Sequence, residues 1–188
     1  DIHGDNMISP GDLPDLPLAD SSYWEHIATE ISIDHFERQC EQDNDFASEF
    51  AWMLPKLRRC AQRFARNMTE LCREGVELTL THGDLQDENG DHVRNFEGRP
   101  MIIDWGFARY APIYIDLVDY FSIDETEPYL QRLRMRGFNI KDVDFKERYN
   151  MASLYPALIY MYPAIVHYME GSQTRLRQIL SFIDSSDR

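Results

Sequence analysis

The first half of the chain carries two long stretches in which apolar residues recur at steps of three and four positions. This spacing is typical of helices that bury one face. It predicts a first helix over about residues 23–43, capped by one of the polar residues at 20–22. A second helix is predicted over residues 46–73, with Pro55 dividing it and Gly75 ending it, because both residues disfavour a continuous helix.

The middle of the chain changes to a β-like pattern. Val76–Thr81 is a short apolar run that predicts a strand, and the segments DHV (91–93) and PMIIDW (100–105) predict two more, joined by a turn at NFEGR (95–99). From residue 115 the helical spacing returns, and it predicts helices at about 115–122, 126–137, 142–169 and 172–184. The predicted fold class is α+β and mostly helical, with a small β-hairpin region between two helical parts.

Residues 1–20 follow neither pattern. They contain three prolines, two glycines and five aspartates, a composition typical of a loop or linker. We therefore expect the folded domain to comprise residues 21–188.

The most apolar segment is residues 149–169, which is 21 residues long. It also contains Asn150, Ser153, His167 and the two prolines Pro156 and Pro163. A membrane span usually needs about 20 residues with few polar interruptions, so this segment predicts a buried core helix, kinked near its prolines, and no membrane partner.

The length and net charge of the chain limit the classes of function that we expect. The chain has 188 residues, enough for one domain with a sizeable core, and a net charge of −14, which repels nucleic-acid backbones and weakly favours a cationic substrate. Its three cysteines show no C-x-x-C spacing, so we expect neither a disulfide framework nor a zinc site. With no secretory signal pattern, the composition indicates a cytoplasmic protein and leaves the oligomeric state open.

The polar residues that carry chemistry concentrate around the β region. His82, Asp84 and Asn89 have the spacing H-x-D-x-x-x-x-N directly after a predicted strand, and Asp104 ends the strand at 101–103. Phosphoryl transfer needs a carboxylate to meet the attacking hydroxyl and hard oxygen ligands for Mg²⁺. Asp84 suits the first task, and Asn89 with Asp104 suits the second.

Three segments in this order resemble a known family. HGDLQDEN (82–89), IIDWGFA (102–108) and PIYIDL (112–117) are similar to motifs of the aminoglycoside phosphotransferase and choline kinase group of kinase-like enzymes. The resemblance implies a protein-kinase-like large, C-terminal lobe in which the β-hairpin region carries the catalytic loop. ATP would be the co-substrate, with Mg²⁺ or Mn²⁺ as the metal.

The same resemblance implies roles for individual residues. Asp84 would be the catalytic base, and Asn89 and Asp104 would be the metal ligands. His82 would be a structural residue of the catalytic loop, and Asp116 would brace that loop from below.

The chain also departs from the family pattern. The stretch LQDE places Asp87 and Glu88 beside the expected phosphate path, and GDH follows Asn89 where the family continues directly into a strand. Asp87, Glu88 and Asp119 are candidates for binding a cationic substrate, although such acids more often form a solvated face.

The tripeptide His-Gly-Asp occurs twice, since the chain also contains DIHGDN at residues 1–6. This copy has no strand before it, and Pro10 stands where the asparagine would be required. The sequence therefore predicts that His3 lies in a polar loop and that its motif is a coincidence.

The residues before His82 contain no glycine-rich phosphate cover and no β-rich segment with a lysine. We therefore expect the chain to be a large lobe that is inactive without a small ATP-binding lobe. The leading hypothesis is a kinase that phosphorylates an alcohol group of a small molecule such as an aminoglycoside or amino alcohol. The alternative is a non-catalytic kinase-like binding module or inactive fragment, and a protein kinase is disfavoured because HRD and A-P-E motifs are missing.

Overall fold

A computed structural model of the chain describes residues 2–7, 15–73, 77–86 and 92–187. The chain divides into two compact units, of which unit 1 comprises residues 1–19 and 70–153 and unit 2 comprises residues 20–69 and 154–188. The predictions for Gly75 and Val76 lie outside the described residues.

The described part of the chain is mostly helical. Its helices are α1 (Ile2–Asn6), α2 (Ser21–His26), α3 (Asp34–Gln42), α4 (Asn44–Phe50), α5 (Leu54–Arg73), α6 (Tyr114–Tyr120), α7 (Glu127–Met135), α8 (Asp142–Ala152), α9 (Tyr155–Ile159), α10 (Met161–Met169) and α11 (Thr174–Ser186). Its strands are β1 (Leu78–Thr81), β2 (Val93–Phe96), β3 (Arg99–Ile102) and β4 (Arg109–Pro112). The predicted α+β, mostly helical class is confirmed.

Unit 2 contains the first predicted helix and most of the second, up to residue 69. The first begins where Asp20 accepts a hydrogen bond from the N–H of Tyr23 (3.1 Å), and it stays helical to Gln42 through π-helical turns over Ile27–Ile33. The break near Pro55 is confirmed, because a 3₁₀ turn over Ala51–Met53 precedes α5 and the proline lies in its first turn. A proline costs little there, since the first helical N–H groups have no partner within the helix.

The core of unit 2 follows the apolar spacing of α5. Phe64 packs edge-on against Trp24, with ring centroids 5.9 Å apart, and also contacts Tyr155. The residues that share this fully buried face of α5 are Leu57, Cys60, Ala61, Phe64 and Met68. Periodicity alone therefore identified the buried face of this helix.

The helix predicted over residues 142–169 consists of three helices, α8, α9 and α10. Pro156 and Pro163 each lie in the first turn of a new helix, because a proline inside a continuous helix removes a hydrogen bond and clashes with the preceding turn. Among the described residues, none of the helices has the length and apolar character needed to cross a membrane.

Unit 1 contains two small antiparallel sheets. β1 pairs with β4, with Leu80 opposite Tyr110, and β2 pairs with β3, with Val93 opposite Ile102. β4 was not predicted, because a four-residue run without alternation gives no periodic signal. The β2–β3 turn is also shorter than predicted: Glu97 and Gly98 make it alone, with φ values of 51° and 80°.

The start of α6 is fixed by a partly buried polar cluster. The N–H of Ile113 donates to the carbonyl oxygen of Glu77 (3.1 Å), and the Tyr114 hydroxyl donates to Glu77 Oε2 (2.8 Å). Arg148 from α8 binds the other carboxylate oxygen at 2.6 Å. Because β1 begins directly after Glu77, these bonds hold α6 and β1 in a fixed relation.

The loop prediction for residues 1–20 is wrong in two places. Residues 2–6 form α1, in which Gly4 is buried. Residues 17–19 run beside β4, where Pro17 accepts a hydrogen bond from the N–H of Tyr110 (2.9 Å) and Ala19 donates one to its carbonyl oxygen (3.0 Å). Both segments are ordered by partners that are distant in sequence, and composition carries no information about such partners.

Candidate functional site

The segment His82–Gln86 directly follows β1 and forms a loop, which we call the HGD loop. Asp116 lies under its start: Oδ2 accepts a hydrogen bond from the N–H of His82 and Oδ1 accepts one from the N–H of Gly83, each 2.8 Å long. Gly83 has a φ of 77°, a conformation that glycine adopts without steric cost. Asp116 is 2% exposed, so its charge depends on these bonds in place of water.

A second carboxylate supports the end of the HGD loop. Asp119 lies one turn after Asp116 on α6, and its Oδ2 atom accepts hydrogen bonds from the N–H groups of Leu85 (2.6 Å) and Gln86 (3.2 Å). Asp119 is also only 2% exposed. Its placement under the loop favours a supporting role over the substrate-binding role for which the sequence made it a candidate.

His82 connects the HGD loop to the end of β3. Its Nε2 atom lies 2.8 Å from the carbonyl oxygen of Ile103, and its Nδ1 atom lies 3.2 Å from the backbone nitrogen of Asp84. A neutral ring with the proton on Nε2 satisfies both bonds, because it donates to the carbonyl and accepts from the N–H. Every backbone N–H from His82 to Gln86 therefore has a partner.

His92 is a residue that the motif analysis missed. Its Nδ1 atom lies 2.5 Å from the carbonyl oxygen of Asp84 and 3.8 Å from the carboxylate of the same residue. Its backbone N–H donates to Leu85 (3.1 Å), and its carbonyl oxygen accepts from the N–H of Ile103 (3.0 Å). The one signal in the sequence was the unusual GDH segment, which His92 ends.

These bonds leave the carboxylate of Asp84 accessible. The backbone of Asp84 is bonded on both sides, through its N–H to His82 and through its carbonyl to His92, while 19% of its side chain stays exposed. A partly exposed carboxylate on a rigid backbone can accept a proton from a molecule that approaches from solvent.

Asp104 lies just beyond β3 and is exposed. Its φ of 60° is in the left-handed region, which aspartate tolerates better than most residues, and such strain tends to occur at functional sites. A Cβ atom at Gly106 would lie 3.5 Å from Asp104 Oδ1, so the glycine leaves that side of the carboxylate open. Because Ile103 bonds to both His82 and His92, Asp104 is attached to the same framework as Asp84.

Of the two predicted magnesium ligands, Asp104 is the one that lies among the described residues. Asp104 supplies one open carboxylate, and Mg²⁺ commonly takes only one or two carboxylates from protein, with water and phosphate oxygens completing its shell. Within residues 2–7, 15–73, 77–86 and 92–187, no group of three or more His, Cys, Asp or Glu side chains is placed to hold a metal ion. The predicted partner ligand Asn89 and the candidate substrate residues Asp87 and Glu88 lie outside the described residues.

The aromatic residues next to Asp104 differ in their surroundings. Trp105 donates from Nε1 to the carbonyl oxygen of Ile102 (3.1 Å), and its ring meets that of His82 edge-on at 4.9 Å. Trp105 therefore packs behind the HGD loop, whereas Phe107 is 45% exposed.

Comparison with known proteins agrees with this geometry. A sequence model described as "Phosphotransferase enzyme family" matches residues 14–145, more than two thirds of the chain. The match includes the HGD loop, Asp104 and both supporting aspartates of α6. No curated protein and no solved structure matches the chain. The chain belongs to the phosphotransferase enzyme family.

Proposed function

We propose that this protein transfers the γ-phosphate of ATP to a hydroxyl group of a small molecule, with Asp84 as the general base. The observation that carries the proposal is the way in which Asp84 is held within the HGD loop. Its backbone is held on both sides while its side chain stays 19% exposed, and the loop is bonded to the segment that ends at Asp104. Family membership supports the reaction class.

In this proposal each residue has a physical task. The Asp84 carboxylate accepts the proton of the attacking hydroxyl, and the hydrogen bonds between the Asp84 backbone and the side chains of His82 and His92 keep its main chain in one position. Asp104 and Asn89 would hold Mg²⁺, which supplies positive charge to the phosphate oxygens. Asp116 and Asp119 use their charges to hold the loop from below.

The acceptor is proposed to be cationic, such as an aminoglycoside or an amino alcohol. The net charge of −14 and the two acids Asp87 and Glu88 beside Asp84 in sequence favour a positively charged molecule. The preference for a positively charged acceptor is tested by comparing its rate of phosphorylation with that of a neutral sugar.

The proposal is tested by measuring ADP release from Mg²⁺–ATP with the 188-residue chain. The acceptor panel comprises aminoglycosides, choline-like amino alcohols, homoserine and neutral sugars. We expect acceptor-dependent ADP release that falls about 10²–10⁴-fold in Asp84→Asn, because a positioned general base contributes on that scale.

The matched control is Glu170→Gln, which changes an exposed acid to its amide in unit 2 and should leave the rate unchanged. Nucleotide binding without acceptor-dependent ADP release in any preparation would contradict the proposal and would support a non-catalytic binding module.

A further inference from the structure

We propose that His3 is a positioning residue for the HGD loop and that it acts through Asp116. Its Nε2 atom lies 2.9 Å from Asp116 Oδ2, the same oxygen that accepts the N–H of His82. His3 precedes the region matched by the family model, so this contribution is not part of the family match. The effect on catalysis rests on the proposed function, whereas the effect on the loop does not.

The hydrogen-bond pattern defines the direction of each bond. Asp116 Oδ2 can only accept, so His3 Nε2 must carry a proton and donate. His3 Nδ1 lies 2.6 Å from the Tyr129 hydroxyl, which can donate to it when the ring is neutral. Burial and the nearby charge of Asp116 both raise the pKa of Tyr129, so this hydroxyl keeps its proton. With a neutral His3 ring that carries its proton on Nε2, the bonds run from Tyr129 through His3 to Asp116.

The backbone around His3 is fixed independently of this side chain. The Thr79 hydroxyl from β1 donates to the carbonyl oxygen of His3 (2.8 Å), and Arg136 pairs with Asp5 at 2.6 Å. The His3 side chain is 15% exposed, and its ring meets Tyr129 edge-on at 5.8 Å. His3 therefore reaches Asp116 from a docked helix.

The structure shows the conformation of the second His-Gly-Asp sequence, residues 3–5, and the contact that its histidine makes. Residues 3–5 do not repeat the HGD loop, because they lie in α1 and do not follow a strand. The imidazole of His3 instead bonds to the carboxylate that holds the N–H groups of His82 and Gly83. The expectation that His3 lies in a polar loop is wrong.

Removal of the His3 donor should loosen one end of the HGD loop. Asp116 would keep its two backbone partners but lose the side-chain bond that fixes the angle of its carboxylate. Small displacements of a catalytic group are costly, and about 1 Å can reduce a rate about 10²-fold. We therefore expect His3 to affect kcat much more than the KM for ATP.

The test compares His3→Leu, which removes the donor, with His3→Gln, whose amide N–H can still reach Asp116. The matched control is His26→Leu, an exposed histidine of unit 2. The first measurement is amide hydrogen exchange by NMR on the 188-residue chain, with the melting temperature recorded for each variant. We expect exchange at His82 and Gly83 to accelerate at least about 10-fold in His3→Leu and to return towards wild type in His3→Gln.

Unchanged exchange at His82 and Gly83 in His3→Leu would overturn the inference. So would equal acceleration of all amides of unit 1 without rescue by His3→Gln, because that result would assign His3 a general stabilising role. The second measurement is kcat, which should fall about 10-fold or more in His3→Leu and recover in His3→Gln at a nearly constant KM for ATP.

An unaffected kcat would overturn the inference for an active enzyme. A wild-type protein without phosphotransfer activity would instead contradict the proposed function, and the exchange data would then decide the role of His3 alone.

Discussion

Asp116 accepts hydrogen bonds from two of the five backbone N–H groups of the HGD loop and also contacts His3. Its two carboxylate oxygens accept bonds from two backbone N–H groups and from His3, all of them buried or nearly so. Hydrogen bonds to a charged group each contribute about 1.5–3 kcal/mol, so the loss of this carboxylate should be felt in stability as well as in geometry. The family resemblance of the sequence implies that Asp116 braces the loop. This role stays a prediction, which substitution of Asp116 tests.

The substitution Asp116→Asn should lower both stability and activity. The amide turns one acceptor into a donor that faces other donors, and we expect a loss of about 2–3 kcal/mol in the free energy of unfolding together with a reduced kcat. Thermal unfolding and steady-state kinetics on the same preparation measure both, with Glu170→Gln as the surface control. An unchanged melting temperature with a raised KM for the acceptor would instead assign Asp116 to substrate binding.

His92 offers a second test at the level of one side chain. We expect His92→Ala to reduce kcat by up to about 10²-fold while the KM for ATP stays similar, because the carbonyl of Asp84 loses the bond that fixes it. The backbone bonds of residue 92 remain in the variant, so the change isolates the imidazole. Full activity in His92→Ala would show that the backbone bonds alone hold Asp84.

The β2–β3 hairpin shows how far local sequence determines an element. Its turn needs two residues with positive φ, the geometry of a type I′ turn, and Glu97 is a poor residue for that conformation while Gly98 is a good one. The hairpin leads directly to Ile103 and Asp104. The residues of this turn are therefore expected to affect the position of Asp104, a candidate metal ligand.

Two substitutions in this turn should change stability in opposite directions. We expect Glu97→Asn to raise the free energy of unfolding by about 0.5–1 kcal/mol, because asparagine tolerates positive φ, and Gly98→Ala to lower it by about 1–2 kcal/mol. No atom lies within 4 Å of a Cβ built at Gly98, so the cost of alanine is conformational only. Urea unfolding measures both, and equal or like-signed effects would contradict this description of the turn.

Elements with a strong periodic signal could be predicted from the sequence, and elements that depend on distant partners could not. The long helices at 21–42 and 54–73 follow their apolar spacing, and the hairpin follows its turn residues. By contrast β4 forms because it pairs with β1, and α1 forms where His3 meets Asp116 and Tyr129. The local composition of β4 and α1 gives no signal of these contacts.

The residues of the candidate site also divide into those that the sequence predicts and those that depend on distant partners. The order of His82, Asp84, Asp104 and Asp116 predicts that these residues belong to one site, and this stays a prediction. The structure adds hydrogen bonds that join His82 to Asp116 and to Ile103. His92 and His3 were missed, since each acts through contacts with residues that the chain brings close only when folded. The supporting role of Asp119 was missed for the same reason.

Unit 1 should lose stability in alkali through its buried tyrosines. Burial raises the pKa of Tyr114, Tyr129 and Tyr149, and the nearby carboxylates Glu77, Asp116 and Glu125 raise them further. A group whose pKa is higher in the folded than in the unfolded chain stabilises fully below its unfolded pKa, here about 10, and that contribution is lost as the pH rises above it.

Urea unfolding at a series of pH values from about 8 to 11 measures this loss. The decline above about pH 10 should be shallower in Tyr114→Phe than in wild type, because phenylalanine does not titrate. Tyr162→Phe is the matched control, since this tyrosine is 47% exposed. An identical alkaline decline in Tyr114→Phe and wild type would contradict the prediction.

Asp84 and Asp104 are proposed to act in one phosphotransfer site with different tasks. The most direct measurement is a ³¹P NMR time course of ATP with the best acceptor, recorded for wild type, Asp84→Asn, Asp104→Asn and Glu170→Gln, with calorimetric titration of Mg²⁺–ATP into each protein. We predict a new phosphomonoester signal with wild type and Glu170→Gln only. Asp84→Asn should still bind Mg²⁺–ATP, whereas Asp104→Asn should bind it more weakly. Product formation at a near-normal rate by Asp84→Asn, or equal Mg²⁺–ATP binding by Asp104→Asn and wild type, would contradict this account.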